Sequence, residues 1–147
     1  MLEINLDTKD LERGLAQLLK NATDNRPMMR SIATELVALT EDNFEDESWG
    51  GDKWKQSQRA ASDGGKTLQK SGQLAASITS RAGTDFARIG SNKKYAAIHH
   101  LGGQAGRGKK LTLPARPYLP ISGKGKLQRG AEDNILDIAL KALSKGV

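Results

Sequence analysis

Three prolines at positions 114, 117 and 120 constrain the fold of this chain more than any other sequence feature. Each proline ring fixes its own φ angle, removes a backbone N–H and moves the preceding residue toward extended conformations. Residues 114–120 are therefore predicted to follow an extended, edge-like path, which is compatible with neither an interior helix nor a central strand. Residues 111–113, Leu-Thr-Leu, are predicted to be extended as well.

The proline segment ends a longer stretch, residues 95–122, that holds both histidines and both tyrosines. A short apolar turn leads into His99 and His100, and residues 102–110 then form a loop rich in Gly, Lys and Arg. This order predicts a long flexible loop between a helix and a stiff extended segment, which suits a surface used for assembly. The candidates for facing a channel or DNA from this loop are Arg107, Lys109 and Lys110.

Composition limits the chain to one domain. With 147 residues, 37% apolar and 4% aromatic, it can bury a single modest core, and residues 1–147 are treated as one domain. No cysteine is present, which excludes a disulfide framework and a thiolate metal site. We expect no signal peptide and no membrane contact, because no stretch approaches the ~20 apolar residues of a membrane helix.

Charge is distributed unevenly along the chain. Residues 1–63 carry 8 Lys/Arg against 13 Asp/Glu, a net of −5, and residues 64–147 carry 15 against 4, a net of +11. A basic half attracts nucleic acid, whereas opposite charges on the two halves favour head-to-tail contact between copies. The basic half has only three aromatic residues for base stacking, which weighs against nucleic acid.

Hydrophobic periodicity predicts an α+β fold. Residues 2–6 alternate as in a short strand, which is a candidate member of the sheet. Helical spacing of apolar residues predicts one helix ending near residue 22, a second over residues 27–46 and a last one over residues 127–143. The expected architecture is two N-terminal helices, a small, mostly antiparallel sheet within residues 78–121, and a C-terminal helix.

The middle of the chain is predicted from turn signals. Residues 48–66 are polar and rich in Gly and are interpreted as a loop, which Trp49 and Trp54 anchor to the core. A short helix is predicted over residues 71–77. A β-hairpin is predicted over residues 78–90.

Neither of two suggestive motifs predicts a reaction centre. Residues 103–109 satisfy G-x-x-x-x-G-K, but Lys110 replaces the Ser or Thr that holds magnesium, and the required strand and helix context is missing. Adjacent His99 and His100 would point about 100° apart on a helix, with no Asp, Glu or Cys nearby in sequence. One imidazole is expected to be packed and hydrogen-bonded, the other to lie at the surface. No catalytic residue, cofactor or metal is therefore expected.

Charged residues and the proline segment supply the candidates for contact with other proteins. Because Arg116 lies on a stiff segment, its guanidinium has little freedom to lose on pairing with a carboxylate. Two partners stay open for it: a carboxylate of the same chain, or the acidic face of another subunit. The acidic residues 41–47 lack EF-hand spacing and are expected to form a solvated face. The contact candidates are Arg116, Pro117, Tyr118, Glu41 and Glu45.

The central residues resemble a family signature. Residues 95–103 read Y-A-x-I-H-x-x-G-G, and after the basic loop residues 113–119 read L-P-A-R-P-Y-L. Residues 68–78, L-x-x-S-G-x-L-x-x-S-I, are similar to a further segment of the same family. The chain thus resembles the phage virion morphogenesis family, which includes tail completion proteins of Mu-like and P2-like contractile-tailed phages and prophages. Its structural motif comprises Tyr95, Ile98, His99, Gly102, Gly103 and Pro114. At His100 such proteins commonly have Gln, so no catalytic demand attaches to it.

The resemblance implies a structural protein of virion assembly without enzymatic activity. It implies a ring-forming tail completion or terminator subunit, a hexamer by the same resemblance, at the tail end or the head–tail junction. The implied partners are further copies of the chain and tail tube, tail sheath or head–tail connector proteins, with possible non-specific contact to passing DNA. The implied location is the virion tail or neck, and the host cytoplasm during assembly. From the residues alone, a basic nucleic-acid-binding protein and a His-dependent nuclease stay open as alternatives.

Overall fold

The computed structural model describes residues 2–7, 24–69, 72–106, 108 and 111–144. Within these residues helices combine with small antiparallel sheets, which confirms the α+β class. The predicted helix ending near residue 22 falls outside the described residues. The elements in chain order are β1 (Leu2–Asp7), α1 (Arg26–Asp46), β2 (Ser48–Trp49), β3 (Asp52–Lys53), α2 (Gln58–Asp63), α3 (Gln73–Ala76), β4 (Ile78–Ala82), β5 (Phe86–Ser91), α4 (Ala96–Leu101), β6 (Gly103–Ala105), β7 (Leu111–Leu113) and α5 (Ala131–Ser144).

The three-stranded sheet has the order β1-β5-β4 and is antiparallel throughout. Ile89 in β5 pairs with Ile4 of β1 on one side and with Ser80 of β4 on the other. Strand β1 therefore joins the sheet, and the predicted hairpin forms. Ala87 and Ile89 are fully buried on the face that α1 covers. The short helix predicted over residues 71–77 is α3.

Helix α1 forms the central wall of the core and confirms the prediction for residues 27–46. Pro27 lies in its first turn, where the missing N–H has no cost, and Glu47 ends it in the left-handed conformation with φ 51°. The helix packs on the sheet and on α5. No helix in the described part of the chain has the length and apolar content to cross a membrane. The buried residues of α1 are Met28, Met29, Ile32, Ala33, Leu36, Leu39, Thr40, Asn43 and Phe44.

The prediction of a loop over residues 48–66 is wrong, because this stretch contains regular structure. Strands β2 and β3 form a tight hairpin that turns through residues 50–51, both glycines with positive φ. Helix α2 follows. Ser57 caps it by accepting the Ala60 N–H, and Gly64 ends it with φ 71°. The glycines that suggested a loop instead mark the ends of short elements.

Helix α5 begins at Ala131, four residues later than predicted. Leu127 forms a β-bridge with Ile121, and the Gln128 N–H donates to the Pro120 carbonyl at 2.8 Å. These contacts hold the chain in a turn before the helix begins, which is why the apolar stripe overestimated its length. The residues of α5 with no exposed surface are Ala131, Ile135 and Ala139.

The Gly-rich stretch predicted as a flexible loop is partly a hairpin. Strand β6 pairs antiparallel with β7, with Gly103 opposite Leu113 and Ala105 opposite Leu111. The extended prediction for residues 111–113 is confirmed, and the loop prediction is wrong for residues 103–105. Arg107, Lys109 and Lys110, the candidates for facing a channel or DNA, lie outside the described residues.

Candidate functional site

The proline segment crosses the interior of the protein without joining a sheet. Residues 117–119 each present a carbonyl oxygen that accepts a hydrogen bond from a side chain. The donors, in that order, are Trp54 Nε1 at 2.7 Å, Asn43 Nδ2 at 3.0 Å and Trp49 Nε1 at 2.9 Å. As predicted, residues 114–118 form no helix or strand, and both tryptophans anchor their segment. The predicted edge position is wrong, because these side chains supply the bonds that a strand ladder would give.

His100 also hydrogen-bonds to the proline segment, through backbone N–H groups of that segment. Its Nδ1 accepts the N–H groups of Tyr118 at 3.2 Å and Leu119 at 3.4 Å, and its Nε2 contacts the Ile121 carbonyl oxygen at 2.9 Å. This set of partners requires the neutral tautomer with the proton on Nε2. Burial lowers the pKa of His100, while the bond to Ile121 opposes that shift. The prediction of one packed, hydrogen-bonded imidazole is confirmed.

His99 is half-buried, not fully at the surface as predicted for the second imidazole. Tyr95 contacts it edge to face, with 5.7 Å between the ring centroids. The Nδ1 of His99 is buried and has no hydrogen-bond partner within the described residues. Burial lowers the pKa of His99, and the positive charge of Arg116 lowers it further.

Tyr118 is a core residue. Its ring stacks on Phe44 with 5.2 Å between centroids, and its hydroxyl donates to the Ala96 carbonyl at 2.6 Å. Burial raises the pKa of this hydroxyl. Since Tyr118 has no exposed surface, it offers no contact area to another protein in this fold, although the sequence made it a contact candidate.

Arg116 is 7% exposed, which is unusual for a guanidinium. Its backbone N–H donates to the His99 carbonyl at 2.9 Å, and its Nε donates to the Lys55 carbonyl at 2.7 Å. Burial lowers the pKa of the guanidinium. None of the ion pairs among the described residues involves Arg116, so an internal salt bridge is not found there. Pro114 and Pro117 on either side are half-buried.

Gly102 of the motif brings the end of α4 against the proline segment, and Gly103 begins β6. The Gly102 N–H donates to the Ile98 carbonyl at 2.8 Å and ends α4 with φ 74°. A Cβ atom at Gly102 would lie 2.6 Å from the backbone nitrogen of Ala115. This close approach places the His99 carbonyl beside Arg116. A helix before Gly103 and a strand after the loop are the reverse of a phosphate-binding loop.

Asn43 is a hub that sequence reasoning missed. Besides its bond to the Tyr118 carbonyl, its Nδ2 donates to Gln128 Oε1 at 2.6 Å, and its Oδ1 accepts the Gly50 N–H at 3.1 Å. The residue is 2% exposed. The sequence does contain a sign of this role. Asn43 lies on the apolar stripe of α1, next to Phe44, and an amide that is buried requires hydrogen-bond partners.

The acidic end of α1, residues 41–47, presents carboxylates to solvent. Glu41, Asp42 and Glu45 are exposed. Glu45 pairs with Lys66 at 3.2 Å, while Glu41 and Asp42 have no ion pair within the described residues. Among those residues no group of three or more His, Cys, Asp or Glu side chains is placed to hold a metal ion.

In this site the side chains of Asn43, His100 and Arg116 hydrogen-bond to backbone groups of the same chain, as in a structural protein. The chain belongs to the phage virion morphogenesis family, whose model matches residues 6–144. The resemblance read from residues 68–119 is thereby confirmed, and membership places the chain among proteins of virion morphogenesis in phages and prophages.

Mu-like phages and prophages provide related proteins. The Mu-like prophage FluMu G protein 2 of Haemophilus influenzae is 38% identical over 123 residues, which cover 83% of this chain and 86% of that protein. The putative capsid assembly protein G of Escherichia phage Mu is 32% identical over 154 residues, covering 97% of this chain and 94% of that protein. The Mu-like prophage FluMu G protein 1 of Haemophilus influenzae is 29% identical over 134 residues, which cover 84% of this chain and 86% of that protein. No solved structure matches this chain.

Proposed function

We propose that this protein is a structural, ring-forming subunit that completes or terminates the tail of a Mu-like contractile-tailed phage or prophage. It acts at the tail end or at the head–tail junction. The observation that carries the proposal is family membership over residues 6–144, with a phage Mu relative named for putative capsid assembly that covers 97% of the chain.

The geometry supports a structural role for the motif. Both nitrogens of His100 are engaged with backbone groups, so this imidazole is a brace and has no free atom for proton transfer. In our proposal the protein is not an enzyme, and neither histidine takes part in a reaction. The His-dependent nuclease is accordingly the weaker alternative.

The proposed partners are further copies of the chain, six in the ring, and tail tube, tail sheath or head–tail connector proteins. The protein works in the virion tail or neck after assembly in the host cytoplasm. Exposed Glu41 and Glu45 and half-buried Pro117 stay candidates for these contacts, and Arg107, Lys109 and Lys110 for a loop that faces passing DNA. The net charge of +11 over residues 64–147 supports that last role, and equally supports the second candidate, a basic nucleic-acid-binding protein.

A gene deletion in the phage or prophage that encodes this chain tests the proposal. Lysates examined by electron microscopy should contain filled heads and finished tails that are not joined, and adding the purified protein should restore joined particles. Joined, infectious particles without the protein would contradict the proposal. Malformed heads would instead assign the protein to capsid assembly.

A binding titration separates the nucleic-acid alternative. If the protein is a basic nucleic-acid-binding protein, the purified protein should bind duplex DNA without any tail protein, with an affinity that falls steeply as the salt concentration rises. Under our proposal, replacing Arg107, Lys109 and Lys110 with Ala weakens any DNA contact while the protein still joins heads to tails with reduced DNA delivery.

A further inference from the structure

Arg116 is a buried cation whose terminal nitrogens have no hydrogen-bond partner among the residues that the structure describes. Within the described residues its Nε bond to the Lys55 carbonyl is the guanidinium's one hydrogen bond, and no carboxylate lies within salt-bridge distance. Among buried side-chain nitrogens and oxygens of those residues, His99 Nδ1 is the one that lacks both a partner and solvent. Since the terminal nitrogens of Arg116 also lack a partner, they must reach solvent.

This arrangement is prepared for an anion. A largely buried charge that reaches solvent only at its end is costly without a counterion, and pairing it offsets part of that cost. The Nε bond fixes the guanidinium, and the backbone bond to the His99 carbonyl fixes the main chain. The two free terminal nitrogens lie in one plane, which matches the two oxygens of a carboxylate. Because the side chain is already ordered, binding loses little further entropy.

The acidic end of α1 supplies carboxylates that lack a cation, as Arg116 lacks an anion, among the described residues. Glu41 and Asp42 are exposed and have no ion pair within the described residues. They lie in the last turns of a helix, where the dipole disfavours negative charge, so an external cation would stabilise them. Glu45 in the same cluster is already paired with Lys66. Unpaired carboxylates and an unpaired, preformed cation site on one chain are complementary between two copies.

We infer that, in the assembled protein, the Arg116 guanidinium of one copy binds a carboxylate of Glu41 or Asp42 from a second copy. The inference rests on the proposed ring and names the ion pair that joins its subunits. Lys55, whose carbonyl holds Arg116, lies at the rim of this contact and is exposed.

Charge reversal on the helix tests the contact without disturbing the buried arginine. The variant with Glu41→Lys and Asp42→Lys should raise the dissociation constant between subunits by about 30-fold or more. The matched control, Glu132→Lys with Asp133→Lys, makes the same change in net charge at two exposed acids of α5 and should leave the mass in solution unchanged. Circular dichroism checks that each variant is folded.

Cysteine pairing gives an independent test, because the chain contains no cysteine. Asp42→Cys protein mixed with Lys55→Cys protein should form a disulfide-linked heterodimer under mild oxidation. Asp42→Cys mixed with Lys124→Cys, an exposed lysine of the turn before α5, should not.

The outcomes separate this inference from the proposed ring. A wild-type protein that stays monomeric at high concentration and low ionic strength overturns both. An oligomer whose mass and dissociation constant are unchanged by the Glu41 and Asp42 reversal overturns the ion pair alone, as does equal cross-linking in the Lys124 control. Inorganic phosphate bound by wild-type protein but not by Arg116→Gln, with no effect of the helix reversal, would assign the site to phosphate and also overturn the ion pair.

Discussion

The His100 imidazole and the Tyr118 ring meet edge to face with 5.1 Å between centroids, and His100 Nδ1 accepts the Tyr118 backbone N–H at 3.2 Å. One side chain thereby positions both the ring and the main chain of another. Because Nδ1 also accepts the Leu119 N–H, a proton on Nδ1 would face two donors. The fold therefore requires the neutral form of His100.

Stability should decrease as the pH falls below about 6.5. The pKa values of His99 and His100 in the folded protein lie below the ordinary 6.5, chiefly because burial disfavours the charged ring. In this pH range the unfolded chain therefore binds more protons than the folded one. The contribution of the two histidines to the free energy of unfolding is fully present above pH 6.5, and it is lost as the pH falls through their lowered pKa values. Urea unfolding between about pH 5.5 and 7.5 measures this slope. His100→Gln should reduce it, since an amide donates to the Ile121 carbonyl without titrating, and a slope as steep as wild type would contradict the assignment.

Tyr118→Phe should lower the free energy of unfolding by about 1–3 kcal/mol, because it leaves the buried Ala96 carbonyl without its donor. Denaturant unfolding at pH 7 measures the loss. Tyr95→Phe is the matched control: Tyr95 is 39% exposed, so its effect should stay within about 0.5 kcal/mol. Equal effects of the two variants would argue against the core role of the Tyr118 hydroxyl.

Asn43→Ala should be more damaging, at about 3 kcal/mol, because it leaves two buried partners and one part-buried partner of the amide without their hydrogen bonds. Those partners are the Tyr118 carbonyl, Gln128 Oε1 and the Gly50 N–H. Asn92→Ala, at an exposed asparagine, serves as control and should change stability little. Thermal unfolding of both variants measures the two losses of stability. A loss below about 1 kcal/mol for Asn43→Ala would show that the Asn43 amide is not important for stability.

Gly102→Ala should destabilise the protein more than Gly125→Ala. Both glycines have positive φ, 74° and 81°, so both substitutions strain the backbone by about 1 kcal/mol. Only at Gly102 does the new Cβ also meet backbone, 2.6 Å from the Ala115 nitrogen, whereas nothing lies within 4 Å at Gly125. The difference between their free energies of unfolding isolates the contact, and it should vanish if α4 does not rest on the proline segment.

Local patterns predicted the elements that depend on neighbours in sequence. The stripe of α1 and the hairpin over residues 78–90 depend on nearby residues, and both form. The alternation of residues 2–6 is also a local pattern, although the strand that pairs with it, β5, is distant in sequence. The family signature was also local. Two of the errors arose at glycines: those near residues 50–51 and 64 end short elements, and Gly103 lies in a strand, although a flexible loop was predicted there.

The candidate site was less predictable because its bonds join distant residues. The partners of the carbonyl groups of residues 117–119 lie 63, 75 and 70 positions away. Proline spacing indicates that this segment cannot enter a ladder, but it does not indicate which side chains replace the ladder. Likewise, the sequence left two partners open for Arg116 and did not indicate the Lys55 carbonyl, which accepts its Nε hydrogen bond.

The bond between Asn43 and Gln128 spans 85 positions, and it has a consequence for when this protein folds. Helix α1 is synthesised early, and β4 and β5 cover part of it. The proline segment and α5, which cover the rest, follow later in the chain. Until those later residues are synthesised, part of the apolar stripe of α1 stays uncovered, and long-range closure of this kind is slow. The hydrogen-bond network of Asn43 can therefore be complete only after residue 128 has been synthesised, so α1 reaches its native environment late in translation.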